Sequence, residues 1–415
     1  MEPRFYPSPS PAGSAERGGL LVVAGEASGD VIGAATLRAL GDTHGAWGLG
    51  GPALREAGAS LLLDFQTIHA NGLGDALRVL PQATSALVRL AWKAHRCPPR
   101  AALLIDATSF NARLGRLLRA QGVPVLWCVA PQIWAWRPDR GPALARSMDR
   151  LAVLFSFEVP LWRSLGVDAR WVGHPALDTP SPPRQQARSS LRIAPSALAL
   201  ALLPGSRPNE VRRLLPPFLE AASLLHRLEG MDAWVLFAPS LPEALLASST
   251  RLAERRGVRV LRVVPGQGIA PWLPAFDAAL CASGTASLEC ALAAVPAVVA
   301  YRADALTAWL ARRWLRTAYV ALPNVLLGRR VFPELLQERC TPEQLAREVR
   351  RLLTAGSVEE LRVQLRAALS PEDGLTVGAR VASMLAPPPG GPAGLFPNWQ
   401  TLPQAPELSG SLAGP

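Results

Sequence analysis

Ser283-Gly284-Thr285 follows an apolar run at 278–281 and opens a helical stretch, 286–294, which ends at Val295-Pro296 before the β-branched pair Val298-Val299. Strand, tight polar turn, helix, proline break and strand make one βαβ unit. At the carboxyl end of such a strand, the turn's backbone N–H groups and the helix N-terminus form a seat for phosphate. Glu289 stands four residues after Thr285, on the same helix face. A carboxylate repels phosphate, so beside that seat it would accept hydrogen bonds from sugar hydroxyls. An isolated Ser-Gly-Thr can also simply cap its helix, with Glu289 favouring the positive end.

Other candidate groups sit at similar places. Gly205-Ser206-Arg207 follows a strand expected at 198–203; its backbone can approach a phosphate, and Arg207 adds a bidentate fork. Asp106 ends the apolar run 101–105, where a carboxylate either faces the ligand crevice of a parallel sheet or caps the next helix. In a cleft that raised its pKa toward neutrality, it could act as a base. Gly25-Glu26-Ala27-Ser28-Gly29-Asp30 follows the strand at 19–24, but it has neither GxGxxG nor the Walker lysine. Trp134-Ala135-Trp136-Arg137 would suit a sugar or acyl wall as well as a packed loop.

The elements that must position these groups alternate β and α. Short apolar runs at 101–105, 123–129, 151–155 and 169–172 read as buried parallel strands, with helices at 83–96 and 112–120 between them. The polar, proline-rich stretch 179–190 reads as a linker, after which the alternation restarts with strands at 198–203, 233–238 and 258–264. Arginine-rich helices are expected at 309–316 and 342–353. The division that follows is a disordered tail over 1–17, one α/β domain over 18–178, the linker, and a second domain over 191–355. A helical segment at 356–385 would pack back on the domains, and a mobile Pro/Gly-rich tail would cover 386–415. Two such domains face each other across a cleft.

With 415 residues the chain can bury two full cores, and 49% of it is hydrophobic, yet no uncharged apolar run approaches the ~20 residues needed to cross a bilayer. The start, MEPRFYPSPSPAGSAERGG, has no apolar core of a secretory signal, which points to a cytoplasmic protein. Five scattered cysteines and five isolated histidines form no ligand pattern, so no metal site is expected. A net charge of +11 implies anionic partners. It is spread along helices without any nucleic-acid-binding motif, which disfavours nucleic acid.

Several blocks together resemble the bacterial lipid-A-disaccharide synthase family. They are GEASGD at 25–30, GGPALREAG at 50–58, IDATSFN at 105–111, APQIWAWR at 130–137, GHPALD at 173–178, LLPGSRPNEV at 202–211, ASGTASLEC at 282–290, VAYR at 299–302 and LPNVLLG with PELLQ at 322–337. The resemblance runs in order over roughly residues 19 to 355. It implies a GT-B fold of two Rossmann-like domains, with the acceptor bound by the first and the UDP-sugar by the second. The implied reaction needs no cofactor or metal: inverting transfer of diacylglucosamine from UDP onto the primary hydroxyl of diacylglucosamine 1-phosphate (lipid X), at the inner face of a membrane. The assembly is left open, with a homodimer among the candidates.

By the same resemblance Asp106 and Glu26 are catalytic. Gly205, Ser206, Arg207, Ser283, Gly284, Thr285, Glu289 and Asn324 bind the donor, and Ser28, Gly29, Asn111, Trp134, Trp136 and Arg137 lie on the acceptor side. The chain departs from the family pattern at Thr108 (usually Pro), Ser109 (usually an acid), Ala130 (usually Ser) and Asp75 (usually Glu). A related UDP-GlcNAc-type transferase or epimerase, or a weakly active relative that binds lipid or nucleotide sugar, are the alternatives.

Overall fold

The computed structural model describes residues 18–41, 45–65, 73–264, 267–304, 317–356 and 358–385. Both expected tails and the expected helix at 309–316 lie outside them. Seven strands form the first sheet: β1 (Gly18–Ala24), β2 (Trp47–Gly50), β3 (Ser60–Asp64), β4 (Pro99–Ile105), β5 (Val125–Cys128), β6 (Arg150–Val153) and β7 (Asp168–Trp171). Six form the second: β8 (Ala199–Leu203), β9 (Asp232–Phe237), β10 (Arg259–Arg262), β11 (Ala278–Ala282), β12 (Ala297–Tyr301) and β13 (Glu334–Leu336). Every pairing is parallel. The central strands are apolar without alternation because helices cover both faces: every residue of β8 and β11 is buried, as is 101–105 of β4.

The strand orders repeat one topology, β3-β2-β1-β4-β5-β6-β7 and β10-β9-β8-β11-β12-β13. In each, the order reverses between two central strands, β1 and β4 or β8 and β11. The loops leaving such a pair part to opposite faces and open a crevice at the strands' carboxyl ends. Register makes the crevices level. Ala24 pairs with Ile105, so Glu26 and Asp106 emerge side by side. Cys281 pairs with Leu203, so the loops holding Arg207 and Ser283 do the same.

Three elements differ from expectation. The helix expected at 83–96 begins ten residues earlier, as Leu73–Arg96, and runs through Pro81. The three-residue β13 was too short to give a periodic signal. The stretch expected to be a linker contains the helix Arg184–Leu191. That helix is held to the second half by Arg188, 4% exposed, which donates to the carbonyls of Ala275 at 3.0 Å and Ala194 at 2.8 Å.

After the second sheet the chain returns to the first. Helix Val377–Met384 lies on helix Ala27–Leu40, with Gly378 against the backbone of Ala35. Nearby, the buried Arg380 pairs with the exposed Asp373 and donates to Val172 O at 2.8 Å.

Candidate active site

Asp106 stands at the first reversal in a left-handed backbone conformation, φ 52°, followed by Ala107 at φ 41°. Side chains rarely adopt two such residues in a row without support. The buried Asn111 supplies part of it, donating its amide to the carbonyls of Ile105 at 3.2 Å and Asp106 at 2.9 Å. Gly25 supplies the rest by leaving room: a β-carbon there would lie 2.3 Å from that of Ala107. The helix Thr108–Ala120 has Ala107 at its N-cap and no side-chain cap, so Asp106 is not spent on capping. Burial, and then the neighbouring charge of Glu26, push the Asp106 carboxyl up to about 6, while the Ala107 N–H and the guanidinium of Arg207 pull it down. Arg207 belongs to the second half and Asp106 to the first, so the two crevices face each other closely enough for charges to interact across them.

Arg207 is the N-cap of helix Pro208–Glu229. It pairs with Glu210 at 3.3 Å, and its own N–H reaches the same carboxylate in a capping box. Its side chain stays 58% exposed toward the cleft. The preceding Gly205 has φ 111°, and a β-carbon there would meet the Glu210 carboxylate at 2.3 Å. The charges of Glu210 and Glu26, and Tyr301 at the end of β12, favour the charged guanidinium; Glu210 and Tyr301 lie within quoted sequence blocks but had no site role there. At the second reversal, Gly284 is the N-cap of helix Thr285–Leu292, without a side-chain cap. Glu289 is half-buried one turn in; burial pushes its carboxyl up to about 7, against the pull of the Ile269 N–H.

Four of the residues expected to contact substrate are engaged or buried within the fold. Asn324 is fully buried, and both ends of its amide are used: it donates to Phe332 O and Glu334 and accepts from the N–H groups of Val331 and Phe332, each at 2.8–2.9 Å. No donor atom is left for a sugar hydroxyl. Asn324 and Glu334 instead hold the segment 320–321, to which Ser283 is tied. Ser283 itself spends its N–H on Ala300 O and its hydroxyl on Val320 O, which leaves the N–H groups of Gly284 and Thr285 at the open end of the helix. Asn111 braces the Asp106 turn and is 0% exposed. Gly29 is buried against Ile105, although its neighbour Ser28 is exposed.

The tryptophan pair divides. Trp134 turns inward, donating from Nε1 to Glu158 at 3.0 Å and meeting Phe157 edge-on at 5.1 Å. Burial pushes the Glu158 carboxyl up to about 8. Trp136 is 44% exposed and, with Arg137, lines a cavity of about 230 Å³ beside Thr108 and Ser109. Gln132 and Arg140, missed in the sequence, complete its polar wall. Gln132 lies within the block APQIWAWR, and the signal for Arg140 was its place three residues after Arg137. Among the described residues, no group of three or more His, Cys, Asp or Glu is placed to hold a metal ion.

Residues 20–370 match the family model described as Lipid-A-disaccharide synthetase. The lipid-A-disaccharide synthase of Anaeromyxobacter dehalogenans (strain 2CP-1 / ATCC BAA-258) is 42% identical over 351 residues, covering 83% of this chain and 90% of the relative. That of Myxococcus xanthus (strain DK1622) is 41% identical over 380 residues, covering 89% and 98%. Among solved structures, the UDP-GlcNAc 2-epimerase from Neisseria meningitidis bound to UDP-GlcNAc superposes with a TM-score of 0.58 at 10% identity, covering 88% of this chain and 97% of that one. The two-sheet GT-B fold is thus shared well beyond recognisable sequence.

Proposed function

Because the chain belongs to the lipid-A-disaccharide synthetase family and is therefore a UDP-sugar-dependent glycosyltransferase of lipid A biosynthesis, we propose that it moves 2,3-diacylglucosamine from UDP onto the primary hydroxyl of 2,3-diacylglucosamine 1-phosphate, with inversion and without a metal ion. The observation that carries this reading is the convergence of Asp106, Glu26 and Arg207 from the ends of β4, β1 and β8.

Asp106 takes the acceptor's hydroxyl proton while that oxygen bonds to the anomeric carbon. The bond from this carbon to the UDP oxygen breaks, and its electron pair leaves with UDP. A carboxyl at about 6 is ionised at neutral pH and still a useful base, and Glu26 keeps it basic. The charge growing on UDP meets Arg207 and the open amides of Gly284 and Thr285, groups fixed before the reaction begins. They stand where a divalent ion would otherwise serve. Glu289 lies one turn along from those amides and would hold a donor hydroxyl, which keeps the anomeric carbon turned to the acceptor.

Both substrates carry acyl chains, and we place the protein peripherally at the cytoplasmic face of the inner membrane. Among the described residues no helix is long and apolar enough to cross a membrane. Helix Leu73–Arg96 presents Leu80, Val88 and Trp92, 49%, 59% and 60% exposed, at helical spacing beside the exposed Arg89 and Arg96. An apolar stripe flanked by cations suits an anionic bilayer surface.

The test incubates the protein with both substrates in the presence of a chelator and looks for the disaccharide 1-phosphate by mass. Product is expected from wild type. It should fall at least about a hundredfold in Asp106→Asn, whose side chain tolerates the left-handed backbone. Product that appears only with added divalent ion would remove the metal-independent part. UDP binding without any product would reduce the chain to a binder.

A further inference from the structure

The cavity beside Asp106 has a composition that transfer chemistry alone does not require. Its polar wall is Thr108, Ser109, Gln132, Trp136, Arg137 and Arg140, and among the described residues that line it none is acidic. The two arginines line one cavity across a tight turn: Arg137 is the N-cap of the 3-10 helix Pro138–Arg140, and the Arg140 N–H closes on Arg137 O at 3.1 Å. Arg137 enters the turn at φ 55° and pairs with the exposed Asp139 at 3.2 Å. Thr108 and Ser109, on the first turn of helix Thr108–Ala120, line the same cavity. Two guanidiniums, two hydroxyls and a carboxamide facing one space are a donor set for a compact, multiply charged oxyanion.

We propose that this cavity is the seat of the acceptor's phosphate monoester. The inference rests on the transfer reading above and adds to it how the acceptor is recognised. Thr108 and Ser109 follow Asp106 by two and three residues, so the wall lies within roughly 7–11 Å of it along the backbone. A hexose with its primary hydroxyl at the carboxylate would thus have its anomeric phosphate within reach of the cavity. Trp136 offers the ring an apolar face at the cavity's edge. The donor's diphosphate is met by Arg207 and Gly284 in the other half, so the two anions occupy separate cationic seats.

The experiment compares transfer to phosphorylated and dephosphorylated diacylglucosamine by wild type, Arg140→Ala and Arg140→Lys. It also measures binding of glucosamine 1-phosphate and of UDP to each by calorimetry. Expected is a roughly ten- to hundred-fold fall in the preference for the phosphorylated acceptor in Arg140→Ala, the range of a lost charge-assisted hydrogen bond. Arg140→Lys, which keeps the charge without the fork, should lose less. Glucosamine 1-phosphate binding should weaken in parallel while UDP affinity holds. An unchanged preference overturns the subsite and leaves the transfer reading standing. Equal loss of UDP affinity also overturns it, assigning the cavity to the donor. Binding of glucosamine 1-phosphate that depends on Arg140 supports the subsite even if wild type makes no disaccharide, in which case only the transfer reading falls.

Discussion

At Asp106, desolvation and the charge of Glu26 oppose the Ala107 N–H and the guanidinium of Arg207, and the former win, leaving the carboxyl near 6. A base works only when ionised, so kcat/KM should fall tenfold per pH unit below about 6. Removing the cation in Arg207→Ala should move that acid limb to higher pH; a limb that stayed in place would mean the cleft does not bring the two together. Asn324 belongs to the same scale with a different role. Asn324→Ala would leave the N–H groups of Val331 and Phe332 without their acceptor and should cost about 2–4 kcal/mol by denaturant titration. A mutant of unchanged stability and lost donor affinity would restore it as a sugar contact.

The strand–turn–helix units place the groups, and their tolerances are narrow. Glu26 and Asp106 emerge level because β1 and β4 pair in register, and the loop after β1 passes so close to the turn after β4 that only glycine fits at 25. Gly25→Ala should therefore displace Asp106, cutting kcat at least about tenfold with little change in donor affinity, since a small misplacement of a catalytic group is costly. Structural melting and UDP titration of that variant separate displacement from unfolding. The C-terminal return depends on a different contact. Arg380 has a side-chain exposure of 6% and holds both Asp373 and Val172 O, so Arg380→Ala leaves an unpaired acid and an open carbonyl. Asp373 is itself exposed, so the loss should come mainly from the open carbonyl, about 1–3 kcal/mol, read as a lower thermal midpoint.

Over the whole molecule, the net charge of +11 is divided among separate tasks. Arg207 faces the cleft, Arg137 and Arg140 line the cavity, Arg89 and Arg96 flank an apolar stripe, and Arg188 and Arg380 are structural. Only the first groups line the cleft and the cavity, so a single measure of charge predicts little about any one site. If UDP draws the two halves together on Arg207, it should raise the stability of the intact chain by about 2.7 kcal/mol at a hundredfold excess over its Kd. Arg207→Ala should lose most of that gain; thermal shift with and without UDP shows whether it does.

Local pattern alone determined the alternation of strands and helices, the two-part chain, and the strand-end positions of Asp106, Arg207 and Ser283. Each of these depends on neighbours within a few residues: an apolar run, a glycine turn, a helix start. What the tertiary structure decided was which polar atoms remain free. Asn324 and Ser283 look like ligand contacts in sequence, but their partners, Phe332 and Glu334 for one and Ala300 and Val320 for the other, come from segments folded against them. Arg188 looks solvated in a polar linker and is buried against Ala275, eighty-seven residues along the chain. Arg140 carries no motif and becomes part of a cavity only when the turn after Trp136 meets the helix after Asp106. Hydrogen-bond saturation and burial are sums over contacts distant in sequence, and no window of neighbouring residues contains them.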